Sequence, residues 1–80
     1  MLVTVLAFGV AKEMMGASSF KIEVEEGLDV DRFRKVLEEK FPNIKGLDEV
    51  MIAINNEYAT ADDLLSAGDE VAIIPPVSGG

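Results

Sequence analysis

One long stretch of the chain repeats its apolar residues with the period of a helix. Val30, Phe33, Val36, Leu37 and Phe41 fall on a single stripe. Asp29 stands where an N-cap is wanted, and Pro42 stops the pattern, so a helix is expected from Val30 to about Phe41. Arg32 occupies the third position after the cap, so the reciprocal carboxylate of a capping box is missing. On the outer side, Arg34 with Glu38 and Lys35 with Glu39 have the spacing of solvated pairs. One such helix covers one face of one sheet. The expected class is therefore α+β, two layers, with the main helix packed on one face of a mixed sheet of about five strands.

The rest of the chain supplies the strands. Residues 2–8 are almost continuously apolar, with Val3, Val5 and Ala7 on one face and Leu2, Leu6 and Phe8 on the other. Val10 to Met15 reads as one or two helical turns ended by Gly16, with Met14 and Met15 filling gaps under the sheet. Residues 19–24 alternate, placing Phe20, Ile22 and Val24 inward and Lys21 and Glu23 outward. After a loop around Gly46, residues 50–54 form another apolar strand. Asn55-Asn56 suits a tight turn into a short return strand over residues 57–60. Residues 62–65 read as a single helical turn anchored inward by Leu64 and Leu65, and Val71 to Ile74 is the last strand. The first and last strands are the most apolar, so both belong at the centre of the sheet. Leu6, Phe8, Ala72 and Ile74 then point away from the only long helix. An apolar face with no second helix to cover it reads either as a protein-binding patch or as a face that loops fold over.

The C-terminus is expected to be an arm. Pro75 and Pro76 cannot donate to a sheet ladder and favour an extended conformation. Residues 1–74 then form the domain and 75–80 the arm. Val77 to Gly80 span at most roughly 14 Å when extended. Gly79 and Gly80 carry no side chains, so the arm suits a narrow channel with the terminal carboxylate at its bottom. That carboxylate is a poor electrophile and needs activation, for instance as a mixed anhydride with AMP.

Composition argues against a self-contained hydrolase, leaving paired carboxylates as the chemistry still open. The chain has no cysteine and no histidine, which excludes disulfides, thiolate sites and the commonest general base and metal ligand. Adjacent acids at Asp62-Asp63 and Asp69-Glu70 lack metal-site spacing and suit turn capping. A net charge of −8 opposes nucleic acid and anionic membrane surfaces and suits either a plain solvated surface or steering toward a basic protein partner. No run approaches a membrane span, and no secretory leader precedes the first strand, so a cytoplasmic location is expected.

The strand and helix order with a terminal Gly-Gly resembles the ubiquitin-like β-grasp fold. Within it, Asn55-Asn56-Glu57-Tyr58, Gly68-Asp69-Glu70-Val71-Ala72 and Pro75-Pro76-Val77-Ser78-Gly79-Gly80 resemble the small, sulfur-carrier subunit family of molybdopterin synthase. Phe8, Lys12-Glu13 and Gly16 fit that family's first strand and short helix, although Lys12 replaces a usual arginine and Gly9 a frequent alanine. The resemblance implies a protein that is not catalytic alone and binds no cofactor. A ubiquitin-activating-like adenylyltransferase would use ATP to adenylate Gly80, next to Gly79. A sulfur donor protein would convert the adenylate to a thiocarboxylate. The large subunit of molybdopterin synthase would pass the sulfur to cyclic pyranopterin monophosphate, building the dithiolene that later holds molybdenum or tungsten. Phe8, Tyr58 and Ile74, with Pro75, Pro76, Val77 and Ser78, match the partner-binding positions. The same fold and Gly-Gly end also fit a thiamine-pathway sulfur carrier or a ubiquitin-like modifier, and an inert tail on a plain binding module is the reading from a different class.

Overall fold

In the computed structural model, which describes residues 1–44, 46–47 and 49–75, five strands form one mixed sheet. Strand β1 (Leu2–Ala7) is followed by helix α1 (Val10–Met15), β2 (Ser19–Glu23), helix α2 (Val30–Lys40), β3 (Met51–Ile54), β4 (Glu57–Tyr58) and β5 (Glu70–Ile74). The spatial order is β2-β1-β5-β3-β4, with β1 and β5 parallel and every other pair antiparallel. β1 and β5 lie adjacent and inside, as expected, and β3, apolar at all four of its positions, is the third interior strand. The edge strands carry charge, Lys21 and Glu23 on β2 and Glu57 on β4, which discourages pairing with another chain.

Register aligns the inward residues. Val3 sits opposite Ile22, Val5 opposite Val71, Ala7 opposite Ile73, and Ile73 in turn opposite Ile52. Val30, Phe33 and Leu37 of α2 close over them, and no polar side chain is buried among the described residues. At one end of this core the Phe20 and Phe41 rings meet with centroids 5.6 Å apart, tilted by 60°.

The ends of α2 follow from local chemistry. Asp29 Oδ1 accepts from the Arg32 amide at 2.8 Å. The amides of Val30 and Asp31 donate to the carbonyls of Asp63 and Ala61, at 2.9 and 3.1 Å. Residues 62–65 therefore do not form the expected helical turn. The Ala61 and Asp63 carbonyls are directed at the first amides of α2, and Leu64 bridges to Asp29 instead. A turn closed by the Asp63 amide on the Thr60 carbonyl at 3.1 Å leads into this bridge, burying Leu65 and leaving Leu64 64% exposed, so only one of the two expected anchors is inward.

Three further expectations change. The ion pair on α2 is Lys35 with Asp31 at 3.8 Å, and neither Arg34–Glu38 nor Lys35–Glu39 forms. An acid placed before a base at this spacing is the better orientation, and both expected pairs had the base first. Arg34 Nη1 instead donates to the Leu47 carbonyl at 2.9 Å and pins the loop after the helix. Met15 is buried, but α1 has only six residues and turns Met14 outward. The return strand stops at Tyr58, because Asp63 Oδ2 takes the Thr60 amide at 2.9 Å. Asn55 and Asn56 adopt φ of 50° and 72°, the left-handed pair required by a two-residue hairpin turn of type I′. Among the described residues no helix is long and apolar enough to cross a membrane.

Candidate docking face and the root of the C-terminal arm

The face of the sheet opposite α2 is built by alternation. Across four strands the register places Leu6, Ala72, Ala53 and Tyr58 in one row. Beyond it, Ile74 lies opposite Met51, and Phe8 follows the end of β1 with its amide donating to the Ile73 carbonyl at 3.4 Å. The two alanines keep the floor low. Leu6, Phe8, Tyr58 and Ile74 rise around it, leaving a hollow of about 230 Å³. Phe8 is 51% exposed and Tyr58 67% exposed, so large apolar surface faces solvent here. Rings of this kind at the edge of a small hollow are the residue types that anchor protein interfaces.

The hairpin that carries Tyr58 is tied to β5. Asn55 Nδ2 donates to Asp69 Oδ1, and Asn55 Oδ1 accepts from the Glu70 amide, both at 3.0 Å. The Asn55 amide donates to the Glu70 carbonyl at 2.8 Å, and Asp69 Oδ2 accepts from the Ser66 amide at 2.7 Å. One asparagine thus fixes the turn against the start of the strand that leads to the arm.

At the other end of β5, successive residues face opposite ways. Ile74 lines the hollow on the sheet face. Pro75 lies on the other side, beside Gly9, where an added Cβ would stand 3.8 Å from Pro75 Cγ. Gly9 has φ 55° and ψ −131°, a conformation that L side chains rarely adopt, and it turns the chain from β1 into α1 next to Pro75.

The structure thus brings Phe8, Tyr58 and Ile74 to one face, with Pro75 just behind it. Pro76, Val77, Ser78, Gly79 and Gly80 lie outside the described residues. Met51 and Ala53 also belong to the face and were not singled out from the sequence. Their signal was present in the alternation of β3, where they stand out of phase with Ile52 and Ile54.

The sequence and the fold both have known relatives. A family model described as ThiS family matches residues 5–80. The molybdopterin synthase sulfur carrier subunit of Caenorhabditis briggsae is 36% identical over 81 residues, covering 98% of this chain and 96% of that relative. Among solved structures, SAMP1 (small archaeal modifier protein 1) from Haloferax volcanii superposes with a TM-score of 0.84 at 25% identity, covering 100% of both chains. A chain from the complex of subunits 1 and 2 of molybdopterin-converting factor from Helicobacter pylori superposes with a TM-score of 0.72 at 31% identity, again covering 100% of both. With its sheet order, its exposed apolar face and a family match over nearly its whole length, the chain belongs to the ThiS family.

Proposed function

We propose that the chain is the sulfur-carrier subunit of a molybdopterin synthase, with sulfur held as a thiocarboxylate on Gly80. An adenylyltransferase similar to ubiquitin-activating enzymes joins the Gly80 carboxylate to AMP, releasing pyrophosphate from ATP. Sulfur from a donor protein displaces AMP. The arm then enters the large subunit, where the sulfur passes to cyclic pyranopterin monophosphate. The carrier brings no catalytic group of its own.

The observation that carries this reading is where the arm begins. The central strand β5 ends at Ile74, which lines the hollow on the exposed apolar face, and Pro75 follows directly behind it. A partner that docks on Phe8, Tyr58 and Ile74 therefore also meets the start of the arm. Gly79 and Gly80 permit close approach in a channel, and Pro75-Pro76 reduces the entropy lost when the arm is held, with Val77 and Ser78 against the channel wall. The name of the Caenorhabditis briggsae relative and the two-subunit Helicobacter pylori complex support the assignment.

The test is reconstitution with the activating enzyme, ATP, a sulfur source, the large subunit and the pterin precursor. Wild-type protein is expected to yield dithiolene product, and Gly79→Ala to block it. A second reading, a ubiquitin-like modifier, is favoured by the similarity to small archaeal modifier protein 1. It predicts a ladder of conjugates on target lysines, ending at Gly80. Loaded carrier that forms such a ladder and gives no pterin product would reverse the order of the two readings.

A further inference from the structure

We infer that the apolar groove beside α1 is a second docking surface for the large subunit, seating one aliphatic or aromatic side chain from the rim of the channel that takes the arm. This rests on the sulfur-carrier reading. The groove has a volume of about 250 Å³ and is lined by Val10, Met14, Ile44, Leu47, Val50 and Pro75. That is several times the ~30 Å³ that a water occupies in the liquid. Val10 is 56% exposed and Met14 49% exposed, so part of its wall is apolar surface open to solvent.

Two observations commit the groove to the partner that binds the arm. First, Pro75 is the root of the arm and lines this groove, whereas Ile74 lines the hollow on the sheet face. The arm therefore starts between two apolar surfaces. Second, the arm is short. The five residues after Pro75 reach at most roughly 17 Å when extended. A partner with its reaction site at the far end of a channel has to bring the channel mouth against the root. A mouth that surrounds the root touches both sides of it, and the side away from the sheet face is this groove.

The test is the dissociation constant for the large subunit, by calorimetry, of the double variant Val10→Thr, Met14→Gln. Both positions are exposed, so the thermal midpoint should stay at the wild-type value. Affinity is expected to fall about tenfold. Affinity within twofold of wild type, while Phe8→Ala still weakens binding, would overturn the inference and leave the sulfur-carrier reading intact. Failure of the wild type to bind the large subunit would remove both. Sedimentation of the carrier alone tests a second copy as the occupant. A wild-type dimer that the double variant abolishes, with large-subunit affinity unchanged, would also overturn the inference.

Discussion

Replacing Asn55 separates two roles that a single side chain plays in the β3–β4 turn. Its amide group makes two hydrogen bonds, to Asp69 and to the Glu70 amide, both 3.0 Å long and exposed to solvent. Exposed hydrogen bonds sit at the low end of the usual net range, so together they contribute about 1–2 kcal/mol. Its backbone sits at φ 50°, which asparagine tolerates and alanine resists by roughly 1 kcal/mol. Asn55→Gly removes the bonds but accepts the backbone, and should cost about 1–2 kcal/mol. Asn55→Ala loses both and should cost about 2–3 kcal/mol. For a domain of this size each kcal/mol moves the thermal midpoint by about 4–8 °C. Urea unfolding followed by circular dichroism gives the difference directly, provided the slope with urea is unchanged. Equal stability of the two variants would refute the backbone part of the reasoning. Wild-type stability in both would refute the whole of it.

Two other perturbations test the fold and the face. Asp29→Ala removes the acceptor for the Arg32 amide and should cost about 1 kcal/mol in the same urea assay, while Asp29→Asn should cost only a few tenths. Phe8→Ala removes a half-exposed ring, so stability should hold within about 0.5 kcal/mol while affinity for the large subunit falls by about tenfold or more in calorimetry. Unchanged affinity would remove Phe8 from the interface.

The parts of the fold that could be read in advance rest on strong local signals. Asp29 and Pro42 bracket α2 because a cap and a helix breaker act within one turn of themselves. Asn55-Asn56 marks its turn because few residues accept two successive left-handed conformations. The central placement of β1 and β5 follows from runs apolar on both faces. What escaped depends on distant partners. Residues 62–65 look like a helical turn, yet the carbonyls of Asp63 and of neighbouring Ala61 are taken by amides of α2 that lie 33 and 30 positions earlier. The Arg34 side chain finds a carbonyl at Leu47 that no spacing rule points to. The candidate face was legible through Phe8, Tyr58 and Ile74, whereas the groove beside α1 was not. It is assembled from α1, the loop after α2 and Pro75, elements that only the tertiary fold brings together.

The central claim is that Gly80 carries the sulfur. Intact mass spectrometry of the untagged protein, after incubation with its activating enzyme, ATP and a sulfur source, tests it most directly. The account predicts a mass gain equal to replacement of one oxygen by sulfur, absent when Gly80 is deleted. No gain in the wild-type protein, under conditions that load a known carrier, or the same gain in the deleted protein, would contradict it.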